Sequence, residues 1–165
     1  MFWPKAALLS ILGLSALVSA QRVSDGVYFI VAAATDSQFS VSHQGPEEPL
    51  VLVNGPNKEG IWDIEASGTG QTIKNVLTGG WTANDIPNSD RVWAVTGDQL
   101  THTAWNVTAF NDGYQISLPD MSDEERLYWT PDFALRRLYL SQQKVSDVQV
   151  WLLRDILALA DECDV

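Results

Sequence analysis

Cysteine, histidine and basic residues are all scarce in this chain, and each scarcity removes a class of function. One cysteine among 165 residues excludes a disulfide framework, and two histidines exclude a His-based metal cluster. Ten bases stand against 21 acids, a net charge of −11. A body of that sign repels a polyanion, which argues against nucleic acid as a partner. Beyond the N-terminus no apolar run reaches the ~18 residues of a membrane helix, so no membrane span is expected in the mature chain. No glycine elbow surrounds a serine, no paired-histidine motif occurs, and no glycine loop is built to cradle a phosphate. His43 and His102 stand far apart with no partner for a nucleophile–base pair. Glu47-Glu48 and Asp123-Glu124-Glu125 read as solvated charge, because no spaced Asp-x-Asp ligand loop surrounds them. The expectation is a non-enzyme with no cofactor and no metal.

The first 20 residues have the layout of a secretory signal peptide. Lys5 supplies a positive charge, Ala6 to Leu17 form an apolar stretch, and Val18-Ser19-Ala20 offers the small residues of a cleavage site. A 12-residue helix spans only about 18 Å of a ~30 Å hydrocarbon core, too short for an anchor. The expected product is a secreted, extracellular domain over 21–154, followed by an acidic tail at 155–165. That tail holds Cys163, whose neighbouring carboxylates disfavour a thiolate. Asn106-Val107-Thr108 is a glycosylation sequon, usable where Asn106 faces solvent.

What the chain does have is a threefold repeat. Ile30, Ile73 and Ile116 are spaced by 43 residues each; Trp62 and Trp105 share that period, and Trp151 follows 46 later. A three-residue insertion in the third unit accounts for the difference. Each unit reads as four short alternating segments separated by turn clusters such as Asn54-Gly55-Pro56-Asn57, which makes twelve strands in all. Propellers need more blades than three. Three units of four strands instead predict an all-β fold, the β-trefoil: a six-stranded barrel capped by three hairpins. The repeated Ile and Trp residues then share one packing task near the pseudo-threefold axis.

The chain resembles the mushroom β-trefoil serine protease inhibitors of the cospin type. The likeness covers about residues 24–154 and rests on Gly26-Val27-Tyr28-Phe29-Ile30, Gly80-Trp81-Thr82-Ala83 and Ala104-Trp105-Asn106-Val107. In the third unit it rests on Leu127-Tyr128-Trp129, Leu138-Tyr139-Leu140-Ser141 and Val148-Gln149-Val150-Trp151. The resemblance implies a secreted or vesicular small inhibitor that offers an exposed loop to a serine protease, and a monomer is expected. The implicated loop is His43 to Leu50, with Gln44, Gly45, Pro46, Glu47, Glu48, Pro49 and Leu50 as the binding residues. It carries no Lys or Arg, and Glu47 and Glu48 would face an acidic specificity pocket with like charge, so trypsin-like targets are not expected through it. Arg136 and Arg137, in the loop after Thr130 that is expected to contain the third-unit insertion, and Lys144 offer basic side chains in other loops.

A second family shares the fold. Ricin-type lectins carry Gln-x-Trp in each repeat, and this chain has it once, as Gln149-Val150-Trp151. For glycan partners the expected site is Asp132 for sugar hydroxyls, with Phe133 and Tyr139 for the apolar face of the ring.

Overall fold

Alternate side chains of a strand point to opposite faces, so segments with every second residue apolar bury one face and expose the other. The structure is a computed structural model that describes residues 22–35, 38–45, 48–84, 90–95, 103–122, 124–142 and 147–156. Thirteen strands form among them. They are β1 (Gly26–Ala32), β2 (Phe39–Ser42), β3 (Glu48–Pro49), β4 (Val51–Asn54), β5 (Ile61–Ser67), β6 (Gly70–Asn75) and β7 (Trp81–Ala83). Then follow β8 (Trp93–Val95), β9 (Asn106–Phe110), β10 (Gly113–Ser117), β11 (Tyr128–Asp132), β12 (Arg137–Ser141) and β13 (Trp151–Asp155).

Six of these close a barrel. β1 pairs antiparallel with β13 on one side and β5 on the other, and β5 pairs with β6. Gln71 of β6 bridges Trp105 at the entrance to β9, β9 pairs with β10, and Tyr114 of β10 returns to Trp151 of β13. The other strands give one hairpin per unit: β2–β4, β7–β8 and β11–β12. This is the β-trefoil that the repeat predicts.

Ile30, Ile73, Ile116, Trp62, Trp105 and Trp151 are all fully buried, as matching positions of a repeat require. A buried indole needs an acceptor for its N–H. Each of the three finds one in the hairpin of its own unit: Trp62 donates to the Val41 carbonyl (3.1 Å), Trp105 to Thr82 Oγ1 (2.7 Å) and Trp151 to the Trp129 carbonyl (3.2 Å). Trp129 joins them edge-on, 5.2 Å from Trp105 and 6.4 Å from Trp151 between ring centroids, and its own N–H has no acceptor among the described residues. The glycines that open β6 and β10 have a steric origin. A Cβ on Gly70 would stand 2.8 Å from the carbonyl oxygens of Ala104 and Trp105, and one on Gly113 2.7 Å from that of Trp151. Only glycine lets the two barrel strands approach so closely.

Three details depart from the pattern in the sequence. A thirteenth strand, β3, appears inside the segment expected to be a free loop. The third-unit insertion lies in the β10–β11 connection, 118–127, rather than in the turn before Arg136, which is a short hairpin closed by Asp132 opposite Arg137. β13 also runs to Asp155, which pairs with Tyr28, one residue beyond the expected end of the barrel.

Replacing Trp105 by Ala removes a fully buried ring and a barrel-to-hairpin hydrogen bond. It is expected to cost about 3–5 kcal/mol in urea unfolding.

Candidate functional site

The three hairpins are tied to one another as well as to the barrel. Arg137 of β12 pairs with Val51 of β4, Arg91 bridges Tyr139 of β12, and β3 pairs with β8 through Glu48↔Ala94 and Pro49↔Trp93. At the centre of this cap lie Leu50, Val92 and Leu138, all fully buried. The Leu50 N–H donates to the Val92 carbonyl at 2.8 Å, and the Leu138 N–H to the Leu50 carbonyl at 3.4 Å.

Among the described residues of 43–50, this geometry places His43 and Leu50 in the interior and Glu48–Pro49 in a strand rather than in a free loop. Leu50 cannot fill an enzyme pocket, because it fills the centre of the cap. Glu48 and Pro49 are held in β3, with Glu48 exposed and Pro49 half-buried. Gln44 is exposed and Gly45 half-buried; Pro46 and Glu47 lie outside the described residues. His43 is buried at 1% exposure. Its backbone N–H donates to the Glu59 carbonyl, and its Nδ1 lies 2.8 Å from Thr78 Oγ1. Asn75 completes the cluster, donating from Nδ2 to the same Glu59 carbonyl and accepting the N–H groups of Leu77 and Thr78. The histidine is a brace between the first and second units. Burial pushes its pKa below the ordinary 6.5, opposed in part by a hydrogen bond with the Gly45 backbone and by the nearby charge of Glu48.

The β11–β12 hairpin gathers a different set. Along β12 the side chains alternate: Leu138 and Leu140 are buried, while Arg137 and Tyr139 are half-buried on the opposite face. Asp132 stands across from Arg137, and Thr130 across from Tyr139, so all four share that face. Asp132 Oδ1 accepts the Leu135 N–H at 3.0 Å and Oδ2 accepts Arg137 Nε–H at 3.1 Å. The Leu135 N–H and, after it, the Arg137 guanidinium hold the Asp132 carboxyl below the usual carboxylate range. It stays ionised with a fixed orientation. The Arg137 guanidinium also lies over the Tyr139 ring, 5.7 Å from its centroid. Gln149 of the Gln-x-Trp motif is fully buried and donates from Nε2 to Thr130 Oγ1 at 2.9 Å, so this face is covered at Thr130 and open toward Asp132.

Other expected residues fall elsewhere. Phe133 packs its ring on Phe39 of the first hairpin, 5.5 Å between centroids, which removes it from the Asp132–Tyr139 face. Arg136 is exposed at the hairpin turn with a left-handed φ of 50°, and its carbonyl accepts the Leu52 N–H. Arg137 belongs to β12 and an ion pair rather than to a loop. Asn106 is half-buried on β9. The segment 1–20, His102, Lys144 and Cys163 lie outside the described residues. The partnership of Arg137 with Asp132 went unread in the sequence, although the tight turn between the two residues was its signal.

No protein-family model matches the sequence, and no curated protein matches it either. Solved structures share the fold. The Macrolepiota procera ricin B-like lectin, in complex with lactose, is 14% identical with a TM-score of 0.65, covering 82% of this chain and 99% of that one. The Rhizoctonia solani agglutinin is 18% identical with a TM-score of 0.63, covering 82% and 98%. A GlcNAcα1-4Gal-releasing endo-β-galactosidase from Clostridium perfringens is 11% identical with a TM-score of 0.67 over 81% of this chain, which spans 33% of that longer enzyme. At these identities the likeness establishes the β-trefoil fold, which these lectins share.

The buried His43 makes a pH test available. Its folded pKa lies below the unfolded value, so the unfolded chain binds more protons in mild acid. Its contribution to stability is complete above about pH 6.5 and is lost as pH falls below that value. Urea midpoints measured from about pH 5 to 7.5 should rise with pH, and in H43Q this rise should flatten.

Proposed function

We propose that this protein is a secreted carbohydrate-binding β-trefoil whose sugar site is the outer face of the β11–β12 hairpin. The observation that carries this reading is the Asp132 carboxylate, ionised and oriented at the hairpin turn, on the same face as Tyr139. A carboxylate has about four acceptor positions, and the two bonds from Leu135 and Arg137 leave capacity for neighbouring sugar hydroxyls. The Tyr139 ring offers apolar area to the carbon face of a pyranose and a hydroxyl at its rim. Arg137 keeps the two groups in register, since it bonds the carboxylate and lies over the ring. Structural kinship with lectins, one of them holding lactose, supports the same reading.

The protease-inhibitor reading that the resemblance implies has less behind it. The Glu48–Leu50 part of its loop is stitched into the cap through β3 and Leu50, so these residues do not stand free as a substrate-like segment. Export by the N-terminal segment is part of the proposal and agrees with a glycan partner outside the cell.

Retention on immobilised lactose, followed by a glycan array, tests the proposal. Wild-type protein should be retained on at least one glycan and released by the free sugar. D132A and Y139A should each weaken binding by about tenfold or more while the fold is kept. Because Asp132 titrates below the usual range, binding should stay level from neutral pH down to about pH 4.5 and fall only in stronger acid. An array with no binding, together with saturable inhibition of a serine protease, would reverse the assignment.

A further inference from the structure

Two seams of the barrel rest on a single residue pair. The one between β6 and β9 is Gln71↔Trp105, in which each backbone N–H donates to the other's carbonyl at 2.8 Å. Beside it opens a cleft of about 300 Å³. Thr69 and Gly70 line it from the β5–β6 turn and the start of β6, and Asn106 and Thr108 line it from β9. Asn106 and Thr108 stand on the outside of the barrel because Val107 between them enters the core. They are also the first and third residues of the sequon Asn106-Val107-Thr108. No other asparagine of the chain is followed, two residues on, by serine or threonine.

The fold does not require an asparagine here. Positions 63, 106 and 152 are equivalent in the three units, each directly after the barrel tryptophan, and they hold Asp63, Asn106 and Leu152, all half-buried. Two residues further along each strand stand Glu65, Thr108 and Arg154, of which Glu65 and Arg154 are exposed. An acid, an amide and an aliphatic side chain serve at the first position, and three unlike side chains at the second, so barrel packing fixes neither. Other asparagines are committed to the fold. Asn75 donates to the Glu59 carbonyl, while Asn57 and Asn84 accept the hydroxyls of Ser42 and Thr103. The side-chain amide of Asn106 makes no hydrogen bond among the described residues. It is an outward amide without a structural task, with its sequon hydroxyl on the same face and open space beside it.

We propose that Asn106 carries an N-linked glycan in the exported protein, and that the first sugar of this glycan lies in the cleft, over the β6–β9 seam. The modification joins Asn106 Nδ2 to C1 of an N-acetylglucosamine residue. The donor is a lipid-diphosphate-linked oligosaccharide: its C1–O bond breaks, the lipid diphosphate leaves, and Nδ2 gives up one proton. Nothing is oxidised or reduced. The proposal rests on export by the N-terminal segment, and it is separate from sugar binding at Asp132 and Tyr139. A sugar fixed one residue from Trp105 restricts the opening of the two bonds that join β6 to β9, where no further pair of these strands shares the load.

The test is expression of the full chain, N-terminal segment included, in a eukaryotic secretory host, with intact mass read on the secreted protein. Wild-type protein should carry a mass excess that peptide-N-glycosidase removes. N106D, which installs the acid of the first unit, and T108V, which removes the hydroxyl at nearly constant shape, should each be secreted without that excess. T108S keeps the hydroxyl and should keep the excess. Were one of the two loss variants to misfold, the other carries the comparison. Hydrogen exchange on wild-type protein, before and after deglycosylation, reads the placement. The amides of Gln71 and Trp105 should exchange several-fold more slowly with the glycan attached, while those paired between β1 and β13 stay unchanged. Secreted wild-type protein without the excess, or an excess that survives N106D and T108V, overturns the site. A wild-type chain retained in the cytosol overturns export and the site together, whereas secreted, glycosylated protein that binds no sugar counts against the hairpin alone and upholds the site. Equal exchange at Gln71 and Trp105 in the two forms overturns the placement over the seam.

Discussion

Barrel and cap are joined by three buried indole N–H groups, each bonded to an acceptor in a hairpin. The rings of Trp62, Trp105 and Trp151 fill the barrel, and each N–H reaches up into a hairpin. One side chain per unit thus joins the two layers of the fold. The bond constrains direction where apolar packing alone would not, since burial rewards area and is indifferent to orientation. It sets where β2, β7 and β11 cross the barrel, and through them where the hairpin turns stand. The acceptor is a backbone carbonyl in two units and the Thr82 hydroxyl in one, so the role survives a change of chemical group.

The cap then inherits its geometry. Leu50, Val92 and Leu138 meet at its centre because the three hairpins are placed by equivalent bonds below. The third hairpin holds Asp132 and Tyr139 on one face as a consequence, with Gln149 bonded to Thr130 on that same side. Function is separated from scaffold along each strand: odd and even positions of β12 serve the surface and the core respectively. Substitutions on the outer face can therefore change what is bound at small cost to the barrel.

The repeat of Ile and Trp made the barrel legible before any coordinates, because a 43-residue period leaves its mark wherever equivalent positions share one packing task. The strand-opening glycines were legible as landmarks, while their cause, the carbonyl of a neighbouring strand within 3 Å, is a tertiary fact. The same limit hid the role of residues 43–50. Prolines and acids read as an exposed loop, yet Leu50 is an apolar residue at the core position that Leu138 fills in the third unit. Local composition outweighed the repeat in that reading. Asp132 and Tyr139 were legible as chemistry; that Phe133 turns away to Phe39 depends on a contact between units, which no spacing within one unit encodes.

The ties between hairpins are shorter than most seams of the barrel. Four of the six seams run over four to six residue pairs and the β6–β9 and β10–β13 contacts over one, while each inter-hairpin tie rests on one or two. Opening the barrel means unfolding the whole domain; loosening a single hairpin from its neighbours does not. Amide hydrogen exchange in this protein should accordingly separate into two tiers, with the cap strands exchanging through local fluctuations far below the global unfolding free energy. A ligand seated on the third hairpin would slow exchange in the other two through Val51 and Arg91, so occupancy on one face of the cap becomes rigidity across it.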